Sequence, residues 1–152
     1  MKEKIIIILG SKSDVEQINP GLDILKEFKI PYKLEIISAH RNPEKLRKLC
    51  LGIEQEGIEV VIACAGLAAA LPGFVASYVN IPVLGVALKG GMLDGLDALF
   101  AIVSTPKGLG LASTGIGKSG FINAIIFSLQ IISLKDKEYG LELKKVKDKF
   151  KG

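Results

Sequence analysis

A chain of 152 residues, 49% hydrophobic and 24% charged, reads most simply as one domain with an ample core. Its net charge of +4 is compatible with nucleic acid, but seven lysines against four acids in residues 135–152 place +3 of it in the C-terminal tail. The rest is near neutral and poor in aromatics, which argues against a nucleic-acid groove.

From the N-terminus, Ile5, Ile6, Ile7, Ile8 and Leu9 form a continuous apolar run. That is the signature of a strand buried on both faces, and the run is too short for a signal-peptide core. Residues 34–37, 60–65 and 83–88 repeat the character, with a weaker fifth strand near 109–113. Helix patterns lie between them. Ile18, Leu22 and Leu25 share one face, as do Leu46, Leu49 and Ile53. Pro20-Gly21 predicts a kink or restart in the first helix. Ser13 and Glu16 have capping-box spacing, and Asn42-Pro43 reads as a cap followed by proline at the first helical position.

Residues 121–134 are apolar almost all round, which predicts burial on every side and suggests a subunit interface. The stretch contains Asn123, Ser128, Gln130 and Ser133 and falls short of the ~20 residues a membrane helix needs. Beyond it, Tyr139, Leu143, Val146 and Phe150 recur at helical spacing, so this tail is expected to dock on the body or on a neighbouring subunit. Cys50 and Cys64 belong to no metal-like spacing and fit a reducing cytoplasm.

Strands alternating with helices predict an α/β fold, a parallel sheet covered on both faces in the flavodoxin-like order 2-1-3-4-5. Ligands in such sheets bind beyond the carboxyl ends of the strands. The unusual polar and glycine segments come after strands as this requires: Gly10 to Asp14, Ser38 to Arg41, Ala65 to Gly73, and Lys89-Gly90-Gly91. Gly10-Ser11-Lys12-Ser13-Asp14 suits an anion or simply caps a helix, and Asp14 is a ribose acceptor or a cap. Ser38-Ala39-His40-Arg41 holds the sole histidine beside one of only two arginines. A group that titrates at ~6.5 next to a planar fork of donors describes either a working site or a surface histidine before a helix.

Two other motifs point to less. Residues 112–119 nearly match a P-loop, but Ala112 replaces its first glycine and no later strand supplies a magnesium-binding aspartate. A tight entry into the last long helix is the better reading. Asp94 and Asp97 lack the companions a metal would need, so no metal site is expected.

Taken together, GSKSD at 10–14, SAHRNP at 38–43, AGLAAALPG at 65–73, LDGLDAL at 93–99 and GIGKSG at 115–120 resemble the 5-(carboxyamino)imidazole ribonucleotide mutases of purine biosynthesis, the PurE family. The resemblance covers about residues 4–134, leaving 135–152 as a lysine-rich helical tail. It implies transfer of a carboxylate from an exocyclic amine to the adjacent ring carbon of an imidazole ribonucleotide. His40 falls on the acid–base position, Ser11, Ser38 and Arg41 on phosphate-binding positions, and Asp14 on the ribose contact. Ser13, Gly66 and Leu71 fall on the remaining pocket wall. The resemblance implies no metal or other cofactor, and a homo-octamer with sites at subunit contacts, placing the last apolar helix in an interface.

Three features depart from the family pattern. Ala70 stands where similar mutases carry a second histidine, Ser104-Thr105-Pro106 replaces a Gln-Met-Pro segment, and Pro20-Gly21 interrupts the first helix. If the missing histidine only positions substrate, its loss costs ~1–3 kcal/mol. A related class adds carbon dioxide directly to the aminoimidazole ribonucleotide, with lysine after the histidine and a different third loop. Arg41 and Ala68-Ala69 resemble the mutase class instead. A ribonucleotide-binding paralogue without turnover is the alternative that Ala70 and Ser104 motivate.

Overall fold

The computed structural model describes residues 1–67 and 69–152. Five parallel strands, β1 (Ile5–Leu9), β2 (Lys33–Ile36), β3 (Val60–Ala65), β4 (Val83–Ala87) and β5 (Ala112–Ile116), form one sheet in the order β2-β1-β3-β4-β5. Six helices join or succeed them: α1 (Val15–Glu27), α2 (Pro43–Ile53), α3 (Ala70–Tyr78), α4 (Leu96–Val103), α5 (Gly117–Ser133) and α6 (Lys137–Asp148). The strand order is the flavodoxin-like one the alternating pattern predicts.

The apolar runs become buried strands because both faces of the sheet are covered. Alternate side chains go to opposite cores. Ile5, Ile7 and Leu9 join Ile62, Leu84 and residues of α1, α5 and α6, whereas Ile6 and Ile8 join Val61, Ala63 and residues of α2, α3 and α4. β1 and β3 are buried at every position, whereas β2, at the sheet edge, is only partly buried.

Local expectations fare unevenly. α1 runs unbroken through Pro20 instead of restarting. Its neighbour Gly21 is held there by packing: a Cβ at this position would lie 2.3 Å from the Phe121 ring. The Ser13–Glu16 capping box does not form. A 3₁₀ turn, Lys12–Asp14, precedes α1, so Ser11 is the capping side chain, accepting from the Ser13 N–H. Asn42 does cap α2 with Pro43 at its first position, although its side chain makes no cap hydrogen bond. The P-loop-like segment is β5 running directly into α5, and the Thr114 hydroxyl donates to the Gly120 carbonyl across the junction.

α5 packs between α1 and α6 against the sheet, burying Phe121, Ala124, Ile125, Leu129 and Ile132. The chain itself therefore covers much of this helix, and Phe127 is its exposed aromatic. Tyr139 and Val146 anchor α6 in the same core, with Leu143 packed beside them and Phe150 half exposed. No helix among the described residues is long and apolar enough to cross a membrane.

Candidate active site

β1, β2 and β3 end at one rim, and the segments leaving them enclose an open cavity of about 470 Å³. That volume lies in the range of small-molecule sites. The switch in strand order on either side of β1 opens this crevice, since β2 lies on one flank of β1 and β3 on the other. All eight residues singled out from the sequence line it: Ser11, Ser13, Asp14, Ser38, His40, Arg41, Gly66 and Leu71.

The first segment turns sharply because Ser11 caps the 3₁₀ turn. Its Oγ accepts from the Ser13 N–H at 3.3 Å and lies 2.9 Å from Ser13 Oγ. The two serine hydroxyls thus meet at one corner, a neutral cradle suited to an anion. Asp14 sits behind them, half-buried. Burial pushes its carboxyl above the usual carboxylate range, and a hydrogen bond with the Ser11 backbone partly offsets this. Beneath it, Cys64 is buried in β3, and burial together with the Asp14 charge raises its thiol. That sulfur is a packing group.

The second segment is a serine turn. Ser38 Oγ accepts from the Arg41 N–H at 3.2 Å, and the Ser38 carbonyl accepts from Asn42 N–H at 2.9 Å. The turn brings His40 and Arg41 to the cavity, with Arg41 exposed and Ala39 buried beneath. His40 is itself exposed, so it lines the cavity on the side open to solvent.

The third segment contributes no polar side chain among its described residues. Ala65, Gly66, Leu67, Ala69, Ala70 and Leu71 form the opposite wall. Leu67 and Ala69 hold left-handed backbone, φ 45° and 37°, which non-glycine residues seldom adopt. Sequence reasoning missed Leu67, because a leucine carries no mark of a positive φ. Ala68, one of the two alanines that separate the mutase pattern from the carboxylase pattern, lies outside the described residues.

Asp94 also has positive φ, at 48°, in the turn before α4, and Asp97 lies in the first turn of α4. Neither lines the cavity. Among the described residues no three histidines, cysteines or acids gather as a metal would require.

The geometry is matched by relationship. Residues 4–152 match the family described as AIR carboxylase. The chain belongs to the AIR carboxylase family. It is 43% identical to the N5-carboxyaminoimidazole ribonucleotide mutase of Pyrococcus abyssi over 148 residues, covering 97% of this chain and 84% of that protein. It is 39% identical to the mutase of Escherichia coli over 135 residues, 89% of this chain and 80% of that protein. The crystal structure of Treponema denticola PurE superposes with a TM-score of 0.80 at 27% identity, covering 97% of this chain and 91% of that one. The family match reaches through α6, so this AIR carboxylase family member resembles its relatives beyond the segment that the short motifs span.

Proposed function

We propose that this chain is an N5-carboxyaminoimidazole ribonucleotide mutase, with His40 as its general acid and base. One observation carries the reading: the sole histidine lines a cavity whose polar side chains all come from the β1 and β2 segments, in a family member about 40% identical to named mutases.

The reaction needs few parts. As the carbamate C–N bond breaks, the exocyclic nitrogen takes a proton and carbon dioxide is released. The adjacent ring carbon then attacks it, and the new C–C bond leaves that carbon with a proton to lose. No net proton is consumed, so one imidazole can give the first and take back the second. Ser11, Ser38 and Arg41 are assigned to the phosphate, Asp14 to the ribose, and Ser13, Gly66 and Leu71 to the rest of the wall. Anchoring the ribonucleotide at its phosphate fixes the ring against His40 and makes both proton transfers local. The apolar third wall suits carbon dioxide, which is neutral and held by shape and by the exclusion of water rather than by charge. Ala70, the first residue of α3, extends that wall where similar mutases carry a histidine.

The test is product formation from purified N5-carboxyaminoimidazole ribonucleotide without added bicarbonate, with His40→Asn alongside. Turnover by the parent and its loss in the variant are expected. Full turnover by the variant would remove His40 from the role, and a bicarbonate requirement would favour direct carboxylation.

We further propose that copies of the chain associate in the cytoplasm, toward the octamer the resemblance implies. Phe74, Leu96, Phe100 and Val103 leave apolar side chains exposed on neighbouring α3 and α4, a surface suited to contact between copies. Light scattering on the purified protein tests this, and a monomer at micromolar concentration would refute it.

A further inference from the structure

We infer that Gln17, which does not line the cavity, is a positioning residue that holds the segment after β4 against Leu67 and so keeps carbon dioxide in the site. The inference rests on the mutase reading and goes beyond it.

Gln17 stands in the first turn of α1, and its amide spans 72 positions of sequence to reach Lys89. Its Oε1 accepts from the Lys89 N–H at 2.7 Å, and its Nε2 donates to the Lys89 carbonyl at 2.9 Å. Only one orientation of the amide satisfies both bonds. The position explains the need. Leu88 N–H still bonds the Ala65 carbonyl at 3.0 Å, but one residue further the sheet has ended. The Gln17 side chain there supplies the donor and acceptor that another strand's peptide would.

The two glycines after Lys89 bear directly on the cavity. Gly90 and Gly91 have φ of 140° and 68°. A Cβ at Gly91 would lie 2.8 Å from Leu67 Cδ2, so bare backbone is pressed against that side chain. Leu67 is 64% exposed, holds a left-handed φ of 45°, and lines the cavity. Its support therefore comes from the segment that Gln17 clamps. Carbon dioxide offers few handles for hydrogen bonding, so its retention depends on where such walls stand. The clamp is exposed to solvent and contributes little to stability, which separates positioning from folding.

The experiment measures two products from N5-carboxyaminoimidazole ribonucleotide in one reaction: the ring-carboxylated ribonucleotide and the decarboxylated amine, corrected for enzyme-free decay. Gln17→Met keeps length but cannot bridge. Gln17→Glu keeps the acceptor and loses the donor. Relative to the parent, the methionine variant is expected to release roughly threefold to tenfold more amine per ring-carboxylated product, with Tm unchanged and KM within about twofold. The glutamate variant is expected to fall between. An unchanged product ratio in Gln17→Met overturns the inference, as does a uniform loss of all activity with a lowered Tm, which would mark a purely structural role. A parent that forms no ring-carboxylated product overturns the mutase reading as well, whereas an active parent with an unaltered variant overturns this inference alone.

Discussion

The two ends of the sheet are built on opposite terms. At the carboxyl ends of β1, β2 and β3, Asp14 is desolvated without a cationic partner, Leu67 and Ala69 hold left-handed backbone, and Arg41 stands exposed beside His40. At the amino ends the groups are matched. Lys4 pairs with Glu59 at 2.9 Å and with Asp136 at 3.1 Å, and its ammonium lies 5.7 Å from the centre of the Tyr139 ring. The Tyr139 hydroxyl donates to the Lys2 carbonyl, and Asp136 caps α6 by accepting from Glu138 N–H. Strain and unpaired charge at one end are tolerated because the other end and the two cores supply the stability. The contrast favours the unmatched rim as the place where the proposed substrate binds.

Four perturbations test this division of labour. The largest effect is expected at His40: His40→Asn should lower kcat by about 10²- to 10⁴-fold, the usual range for general acid–base catalysis, while Tm stays put. A stability loss of similar prominence would mean that the rim is structural. Arg41→Ala should raise KM by roughly tenfold to a hundredfold, matching the ~1.5–3 kcal/mol of a hydrogen bond to a charged group, with kcat far less affected. A pure kcat effect would move Arg41 out of the phosphate position.

Tyr139→Phe should reverse the pattern, costing about 1 kcal/mol of stability by denaturant titration with turnover unchanged. Burial pushes the Tyr139 hydroxyl up to about 12 from an ordinary 10.0. The unfolded chain therefore loses this proton first, and the parent's stability should fall as pH climbs from about 10 toward 12. Phenylalanine should flatten that fall.

The smallest effect has the opposite sign. Burial raises the Asp14 carboxyl, so the folded state holds this proton more tightly than the unfolded chain. Stability is then lost as pH rises through the unfolded value, and ionised Asp14 weighs against folding at neutral pH. Asp14→Asn should raise Tm slightly at pH 7, lose that advantage at pH 3, and weaken ribonucleotide binding. A lowered Tm at pH 7 would mean that Asp14 serves the fold after all.

Much of this was legible because it rests on short-range chemistry. Ile5 to Leu9 reads as a buried parallel strand wherever it is placed, since no other setting hides five consecutive apolar side chains so readily. The serines, His40 and Arg41 could be located at the rim because each comes directly after a strand, and strand ends share one edge. Other readings failed for equally physical reasons. The Ser13–Glu16 spacing is real, but the chain starts its helical path a turn earlier, at a cap Ser11 provides. Pro20-Gly21 predicts a kink or a restart, yet α1 continues through Pro20 without restarting, with Gly21 packed against Phe121.

The layer architecture, the strand order and the polar half of the cavity could all be read along the chain, because hydrophobic period and strand-ending motifs are local properties. Three arrangements exist only in the folded molecule: α1 and α6 flank α5, Leu67 turns left-handed to face the cavity, and Gln17 reaches Lys89 across 72 positions. They depend on which backbone groups the sheet leaves unpaired and which surfaces meet across the fold, and neither is written in neighbouring residues.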